Sequence, residues 1–69
     1  MIYIFKTSVR TKRQVRQLQP HLDAMLPGEQ WNFDLQDCDR ILRINSEEPI
    51  VLKIIDLLNI HQFDCEELE

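Results

Sequence analysis

An alternating apolar segment followed by a polar break constrains the fold of this chain more than any other feature. Trp31, Phe33 and Leu35 alternate with polar residues, which is the two-residue period of a β-strand with one buried face. A polar run at 36–39 interrupts the pattern, and apolar residues return within 41–44. The segment therefore predicts a β-hairpin, and in a chain of 69 residues the remaining elements must cover its apolar face.

The N-terminal third predicts a strand followed by a helix. The segment 2–6 carries apolar side chains on both faces, so we expect this strand to lie centrally in a sheet. Thr11 and Gln14 have the spacing of a capping box, and apolar residues then recur at helical intervals. Pro20 lies inside this pattern, where it removes one hydrogen bond and clashes with the preceding turn. We therefore predict a kink in the first helix or a break near Gln19.

The C-terminal third predicts a helix and then a short strand. Ser46 is expected to cap the helix, and Pro49 fits its first turn. The apolar face that follows is broad, which predicts contacts on more than one side of the helix. A last strand is expected within 60–68, with Phe63 and Cys65 facing inward.

The order strand, helix, strand, strand, helix, strand predicts an α+β fold. With right-handed crossovers it closes as a ferredoxin-like βαββαβ sandwich, in which a four-stranded antiparallel sheet carries two helices on one face. We expect a single domain spanning 1–69, because a chain this short supports one core. The predicted core consists of Val15, Leu18, Leu22, Trp31, Phe33, Leu35, Leu42, Ile44, Ile54, Ile55 and Leu58.

The net charge of −4 conceals a separation of charge along the chain. Five of the eight basic residues precede Asp23, which is the first acidic residue. Four of them gather at the start of the first helix and form the predicted binding site for an acidic protein surface: Arg10, Lys12, Arg13 and Arg16. A solvated helix face explains the same pattern. We do not expect nucleic acid as a partner, because the protein is acidic overall and its aromatic residues are needed in the core.

No apolar run approaches the roughly 20 residues that span a bilayer. The start of the chain also lacks a basic leader and a small-residue cleavage site. We therefore expect a cytoplasmic protein without membrane association, present as a monomer or weak homodimer. The exposed edge of the second strand, which bears Trp31, offers a route to self-association.

Three segments carry a resemblance to a known family: Leu26-Pro27-Gly28, Trp31-x-Phe33-Asp34-Leu35 and Ile41-x-x-Ile44. In these segments, and in its order of elements, the chain resembles the heavy-metal-associated domain, the family of small copper chaperones and of the metal-binding repeats of copper ATPases. The resemblance implies the same ferredoxin-like fold.

The chain departs from that family at the metal site, which is a Met-x-Cys-x-x-Cys loop between the first strand and the first helix. The corresponding loop here is Lys6-Thr7-Ser8-Val9-Arg10-Thr11. Counted back from Val15, the two cysteine positions fall on Ser8 and Thr11, and no register supplies a cysteine. Because Cu(I) prefers thiolate ligands, we predict a degenerate member of the family that holds no metal at this loop, and we expect no cofactor.

An alternative metal site arises from the fold rather than from this loop. In a βαββαβ sandwich the hairpin turn and the start of the last strand lie at one end of the sheet. A thiol, an imidazole and two carboxylates would meet there and could ligate zinc or copper: Cys38, His61, Asp37 and Asp39. These residues have no regular ligand spacing, and the two aspartates are equally typical of a turn.

The sequence thus predicts a small non-catalytic accessory or protein-interaction module on a metal-chaperone-like fold. The alternative is a protein that binds or transfers copper or zinc through unusual ligands near Cys38 and His61. We predict no enzymatic activity, because the chain has one glycine and no glycine-rich turn, and because no second domain forms a cleft.

Overall fold

The computed structural model describes residues 1–36 and 40–68, and the described residues form two helices and four strands. In chain order the elements are β1 (Ile2–Thr7), α1 (Lys12–Met25), β2 (Gln30–Asp34), β3 (Ile41–Asn45), α2 (Val51–Ile60) and β4 (Cys65–Leu68). The strands pair antiparallel in the order β2-β3-β1-β4. This confirms the predicted α+β class, the hairpin of β2 and β3, and the central position of β1.

One face of the sheet carries the hydrophobic core. Phe5 on β1 lies opposite Leu42 on β3, and Leu42 lies opposite Phe33 on β2, so the three side chains share this face. Both helices contribute to the same core cluster, with Leu18 and Leu22 from α1 among its members. The two helices therefore cover one face of the sheet; the opposite face, which we call the open face, carries neither of them, although Ile41 on it is buried.

Burial separates the predicted core into a centre and a margin. The centre is fully buried and contains six predicted residues: Leu18, Leu22, Leu42, Ile44, Ile54 and Leu58. The remaining five are only partly buried against it: Val15, Trp31, Phe33, Leu35 and Ile55. Three of these five belong to β2 or follow it directly, and β2 is an edge strand of the sheet that the described residues form. Phe5 and Val9 are also fully buried, although the predicted core omitted both.

Helix α1 begins as predicted. The Thr11 hydroxyl accepts a hydrogen bond from the Gln14 N–H over 3.1 Å, and the Gln14 side chain accepts one from the Thr11 N–H over 3.2 Å. The helix then runs from Lys12 to Met25 with Pro20 inside it, so the alternative of a break near Gln19 was wrong. The helix continues because a fully buried leucine on each side of Pro20 anchors it to the core.

Helix α2 begins later than predicted. Ser46 does not cap it, because the helix starts at Val51 and the preceding residue, Ile50, makes no side-chain cap. The Ser46 N–H donates to the Met1 carbonyl over 2.9 Å, which keeps this residue in the extended path of β3. Its hydroxyl accepts from the Glu48 N–H over 3.1 Å and forms a turn instead of a helix cap. Pro49 consequently lies before the helix.

Candidate functional site: a groove at the edge of the sheet

The four basic residues predicted to bind a partner are all exposed at the start of α1. Within the part of the chain that the structure describes, no carboxylate lies at ion-pair distance from Arg10, Lys12, Arg13 or Arg16. The first turn of α1 also lacks an acidic residue. The positive end of the helix dipole and these side chains therefore add to the same local potential.

The structure divides these four residues between different surfaces. Lys12 and Arg16 line a groove of about 650 Å³ between α1 and β2, which we call the edge groove. Arg10 lines a second groove of about 610 Å³, beside the start of β4. Arg13 lines neither of them. The four cations thus lie between two grooves, and we call them together the basic ridge.

The floor of the edge groove is aromatic. Trp31 and Phe33 meet edge to face, with ring centroids 6.0 Å apart and an angle of 79° between the ring planes. Both rings are partly exposed, and Val15 and Leu35 extend the apolar lining. Edge-to-face contact is a favourable arrangement for aromatic pairs, so the two rings form an ordered apolar surface that a partner can reach.

Polar contacts hold the margins of the edge groove. The Trp31 indole N–H donates to a carboxylate oxygen of Asp23 on α1 over 3.0 Å, which ties the ring to the helix. On the open face of the sheet, Arg43 approaches Asp34 with a nitrogen–oxygen distance of 3.6 Å. Both partners of this pair are about two-fifths exposed, so it contributes little stability. Arg43 adds a third cation to the groove lining, beside Lys12 and Arg16.

Two backbone hydrogen bonds reveal which residues of β3 face β1. The Thr7 N–H donates to the Arg40 carbonyl over 3.2 Å, and the Ser46 N–H donates to the Met1 carbonyl over 2.9 Å. Both bonds continue the register of the β1–β3 pairing. Because alternate residues of an antiparallel strand direct their backbone groups to the same side, the even-numbered residues of β3 bond to β1 and the odd-numbered residues face β2.

The same alternation then determines the free edge of β2. Arg43, an odd-numbered residue of β3, lies opposite Asn32. Asn32 and its even-numbered neighbours on β2 therefore direct their N–H and C=O groups toward β3. Trp31 and Phe33 direct theirs away from the sheet, beside the edge groove. The aromatic floor and the outward backbone groups thus belong to the same two residues.

The loop between β1 and α1 is held by hydrogen bonds to the backbone. The Ser8 hydroxyl accepts from the Asp64 N–H over 2.8 Å, and the Ser8 N–H donates to the Asp64 carbonyl over 3.1 Å. Thr11 caps α1. The hydroxyls of Ser8 and Thr11 therefore both already have hydrogen-bond partners within the protein.

The second groove contains the one described cysteine. Cys65 lies opposite Thr7 on β1 and is partly buried. Burial raises the pKa of its thiol from 9.0 to about 12. At neutral pH the group is consequently a protonated thiol, which is a poor nucleophile and a poor metal ligand.

His61 has a neighbour that the sequence reasoning missed. It ends α2 and packs against His21 on α1, with ring centroids 4.3 Å apart and an angle of 46° between the rings. The two residues are far apart in sequence, so no spacing signals this pair. Asp37, Cys38 and Asp39 lie outside the described residues, and the metal site they were predicted to form with His61 stays a prediction. Among the residues described, no group of three or more histidine, cysteine, aspartate and glutamate side chains is arranged to hold a metal ion.

No family model, no curated protein and no solved structure matches this chain. Within 1–36 and 40–68, neither helix is long and apolar enough to cross a membrane.

Proposed function

We propose that this protein is a small cytoplasmic, non-catalytic protein-interaction module on a ferredoxin-like sandwich. It is a degenerate member of the heavy-metal-associated domain family without the Cys-x-x-Cys loop. It engages an acidic protein surface through Arg10, Lys12, Arg13 and Arg16. The observation that carries this proposal is the group of four exposed cations at a helix N-terminus, without carboxylate partners in the described chain, next to an accessible aromatic groove.

The arrangement of charge in α1 supports a binding role. Lys12 and Arg16 are like charges one helical turn apart, and basic residues in a first turn oppose the helix dipole, so each contact destabilises an isolated helix. The capping box of Thr11 and Gln14 offsets part of that cost. An acidic partner would relieve the repulsion and would be attracted over a distance of about 10 Å at moderate salt.

The loop between β1 and α1 supports a function other than metal transfer. In a transfer site the ligands must be free to exchange partners. Here the Ser8 hydroxyl joins the loop to the residue before β4, and the Thr11 hydroxyl caps α1. Replacing either hydroxyl with a thiol would remove a contact that holds the fold.

Charge reversal tests the proposal. Arg13→Glu and Arg16→Glu, combined in one variant, should abolish capture of the partners that the unmodified protein recovers from lysate, and that capture should weaken as salt is raised. Lys53→Glu is the control for reversing a cation elsewhere on the surface, because Lys53 is an exposed cation on α2, away from both grooves. Circular dichroism verifies the fold of each variant. If every partner is recovered equally well by the charge-reversed protein, the basic residues form only a solvated face.

One observation favours the alternative metal function. His61 already lies beside a second imidazole, that of His21, and two imidazoles are suitable ligands for zinc or copper. Native mass spectrometry after incubation with Zn(II) or Cu(I) tests it. Stoichiometric metal retained against a chelator, and lost in both Cys38→Ser and His61→Asn, would replace the interaction module with a metal-binding protein.

A further inference from the structure

We propose that the free edge of β2 pairs antiparallel with the same edge of a second copy of this chain, around a two-fold axis beside Asn32. The resulting dimer has one continuous sheet across both copies. Three observations lead to this proposal: the direction of the β2 backbone groups, the aromatic side chains of β2, and the distribution of charge along α1.

The backbone permits few registers. Trp31 and Phe33 direct their N–H and C=O groups outward, so hydrogen-bonded pairs between the copies must join odd-numbered residues. The register that overlaps all of Gln30–Asp34 places Trp31 opposite Phe33 of the second copy, and Phe33 opposite Trp31 of the second copy. Each of these pairs exchanges both N–H···O bonds. Asn32 then lies opposite Asn32 of the second copy, on the two-fold axis.

The side chains suit this register. Trp31 and Phe33 lie on the helix-covered face and form the floor of the edge groove. Pairing each with the other residue in the second copy joins two edge-to-face pairs into one cluster of four aromatic rings. Directly opposite aromatic residues stabilise neighbouring strands. The cluster would bury ring surface that is exposed in the single chain and fill the groove.

The charges along α1 also match across the axis. Asp23, near the end of the helix, holds Trp31 at the start of β2. Lys12 and Arg16, near the start of the helix, share the groove with residues beyond the end of β2. The helix thus runs antiparallel to the strand. The two-fold axis brings the Asp23 end of each copy to the Lys12 and Arg16 end of the other, so opposite charges meet twice.

The other sheet edge is protected in a way that β2 is not. The exposed acidic residues Glu66 and Glu67 occupy the middle of β4 and would repel a second β4. Strand β2 carries no lysine or proline, and its single charged residue, Asp34, is paired with Arg43. Natural proteins usually protect an edge strand with charged residues or proline. Strand β2 has only Asp34 for this role, and Asp34 is already paired with Arg43.

This dimer shares Lys12 and Arg16, which line the edge groove, with the surface proposed for the acidic partner. Arg10 and Arg13 do not line the edge groove, so dimerisation leaves them available. The two proposals therefore fail separately: charge reversal at the basic ridge tests partner capture, and the experiments below measure association of the purified chain with itself.

Sedimentation equilibrium and amide exchange measure the dimer and its register together. The molar mass should rise from 8.3 kDa toward twice that value as the protein concentration passes through the micromolar range. Exchange of the Trp31 and Phe33 amides should slow over the same range. The Asn32 and Asp34 amides, which donate to β3, are the internal control and should be protected at every concentration. A constant mass of 8.3 kDa, with no change at Trp31 and Phe33, would refute the proposal.

Charge substitutions on β2 test the axis itself. Asn32→Lys places two ammonium groups directly opposite each other and should abolish the dimer, as should Asn32→Glu with two carboxylates. An equimolar mixture of these two variants should restore it. Gln30→Lys is the matched control, an equal charge change on the same strand and face, which in this register meets Asp34 of the second copy and should preserve the dimer. A dimer that survives Asn32→Lys, or that is lost equally in Gln30→Lys, would place the contact elsewhere.

Discussion

Phe5 and Phe33 allow one substitution to be compared at two depths of the same core. Both rings lie on the helix-covered face, and both lie opposite Leu42, one on each side of it. Phe5 is on the central strand and is 0% exposed, whereas Phe33 is on the edge strand and only partly buried. Replacing each with alanine therefore removes the same atoms from two environments.

The expected costs differ because burial differs. Phe5→Ala leaves a closed cavity and should cost about 3–5 kcal/mol, which equals the whole stability of about 3–5 kcal/mol available to a domain of this size. We expect this variant to be largely unfolded in water. Phe33→Ala removes a ring that already contacts water and should cost roughly 1–2 kcal/mol, in proportion to the apolar area that is actually buried.

Urea denaturation monitored by far-ultraviolet circular dichroism measures both variants, at a concentration low enough to keep the chain monomeric. With an m-value of about 1 kcal/mol/M, Phe33→Ala should lower the midpoint by roughly 1–2 M. If Phe5→Ala has no folded baseline, Phe5→Leu and Phe33→Leu provide the same comparison. An equal loss at the two positions would show that β2 packs as a central strand, and the edge groove would not exist in solution.

Three further predictions concern α1 and the second groove. Thr11→Ala should lower the free energy of unfolding by about 1 kcal/mol, because it removes the cap, and a chemical denaturation curve measures this; no change would contradict the capping role. Pro20→Ala should stabilise the protein by about 1 kcal/mol or more, because alanine supplies a backbone N–H that can donate to the Arg16 carbonyl, and because it removes the clash between the proline ring and that carbonyl. A loss of stability would mean that the core requires the proline geometry. Burial raises the pKa of Cys65 to about 12, so above pH 9 the unfolded chain releases a proton that the folded chain keeps, and stability should fall as pH rises from about 9 toward 12. The test compares the single variant Cys38→Ser with the double variant that also carries Cys65→Ala, so that Cys65 is the only thiol that differs between them. Melting temperatures of both are measured across that pH range, and an equal pH dependence in the two would refute the prediction.

The sequence predicted which helices and strands form better than it predicted the tertiary contacts that set where they begin and end. Period and capping identified the strands and α1, because both signals are local. Ser46 was misassigned for a non-local reason: its N–H bonds to the Met1 carbonyl, 45 positions earlier, and this contact extends β3 at the expense of the helix. The continuity of α1 through Pro20 is likewise decided by burial on both sides of the proline.

The candidate site was predicted in its charges but not in its shape. The exposed cations of α1 were predicted from the positions of the basic residues along the chain. The aromatic residues beside them were assigned to the core, since a period of two residues shows that one face is covered but not whether the strand has a neighbour on each side. Because β2 lies at the edge, three of the eleven assigned core residues line the edge groove and stay partly exposed: Trp31, Phe33 and Leu35. The contact of His21 with His61 depends on helix packing, and no sequence signal could have found it.

The structure also changes the meaning of the charge separation along the chain. The acidic C-terminal strand does not stand apart from the basic segment: Glu66 lies opposite Lys6 in the sheet, and it lines the second groove together with Arg10. The field of these two cations is therefore partly compensated, although Arg10 forms no ion pair with a described carboxylate. Lys12 and Arg16, farther along α1, share the edge groove with Asp34, which is already paired with Arg43. Lys12 and Arg16 border the aromatic groove, where removal of water by a docking surface strengthens each charge contact. Specificity for an acidic partner should for this reason reside in the part of the basic ridge nearest β2, and self-association through β2 would compete for the same two side chains.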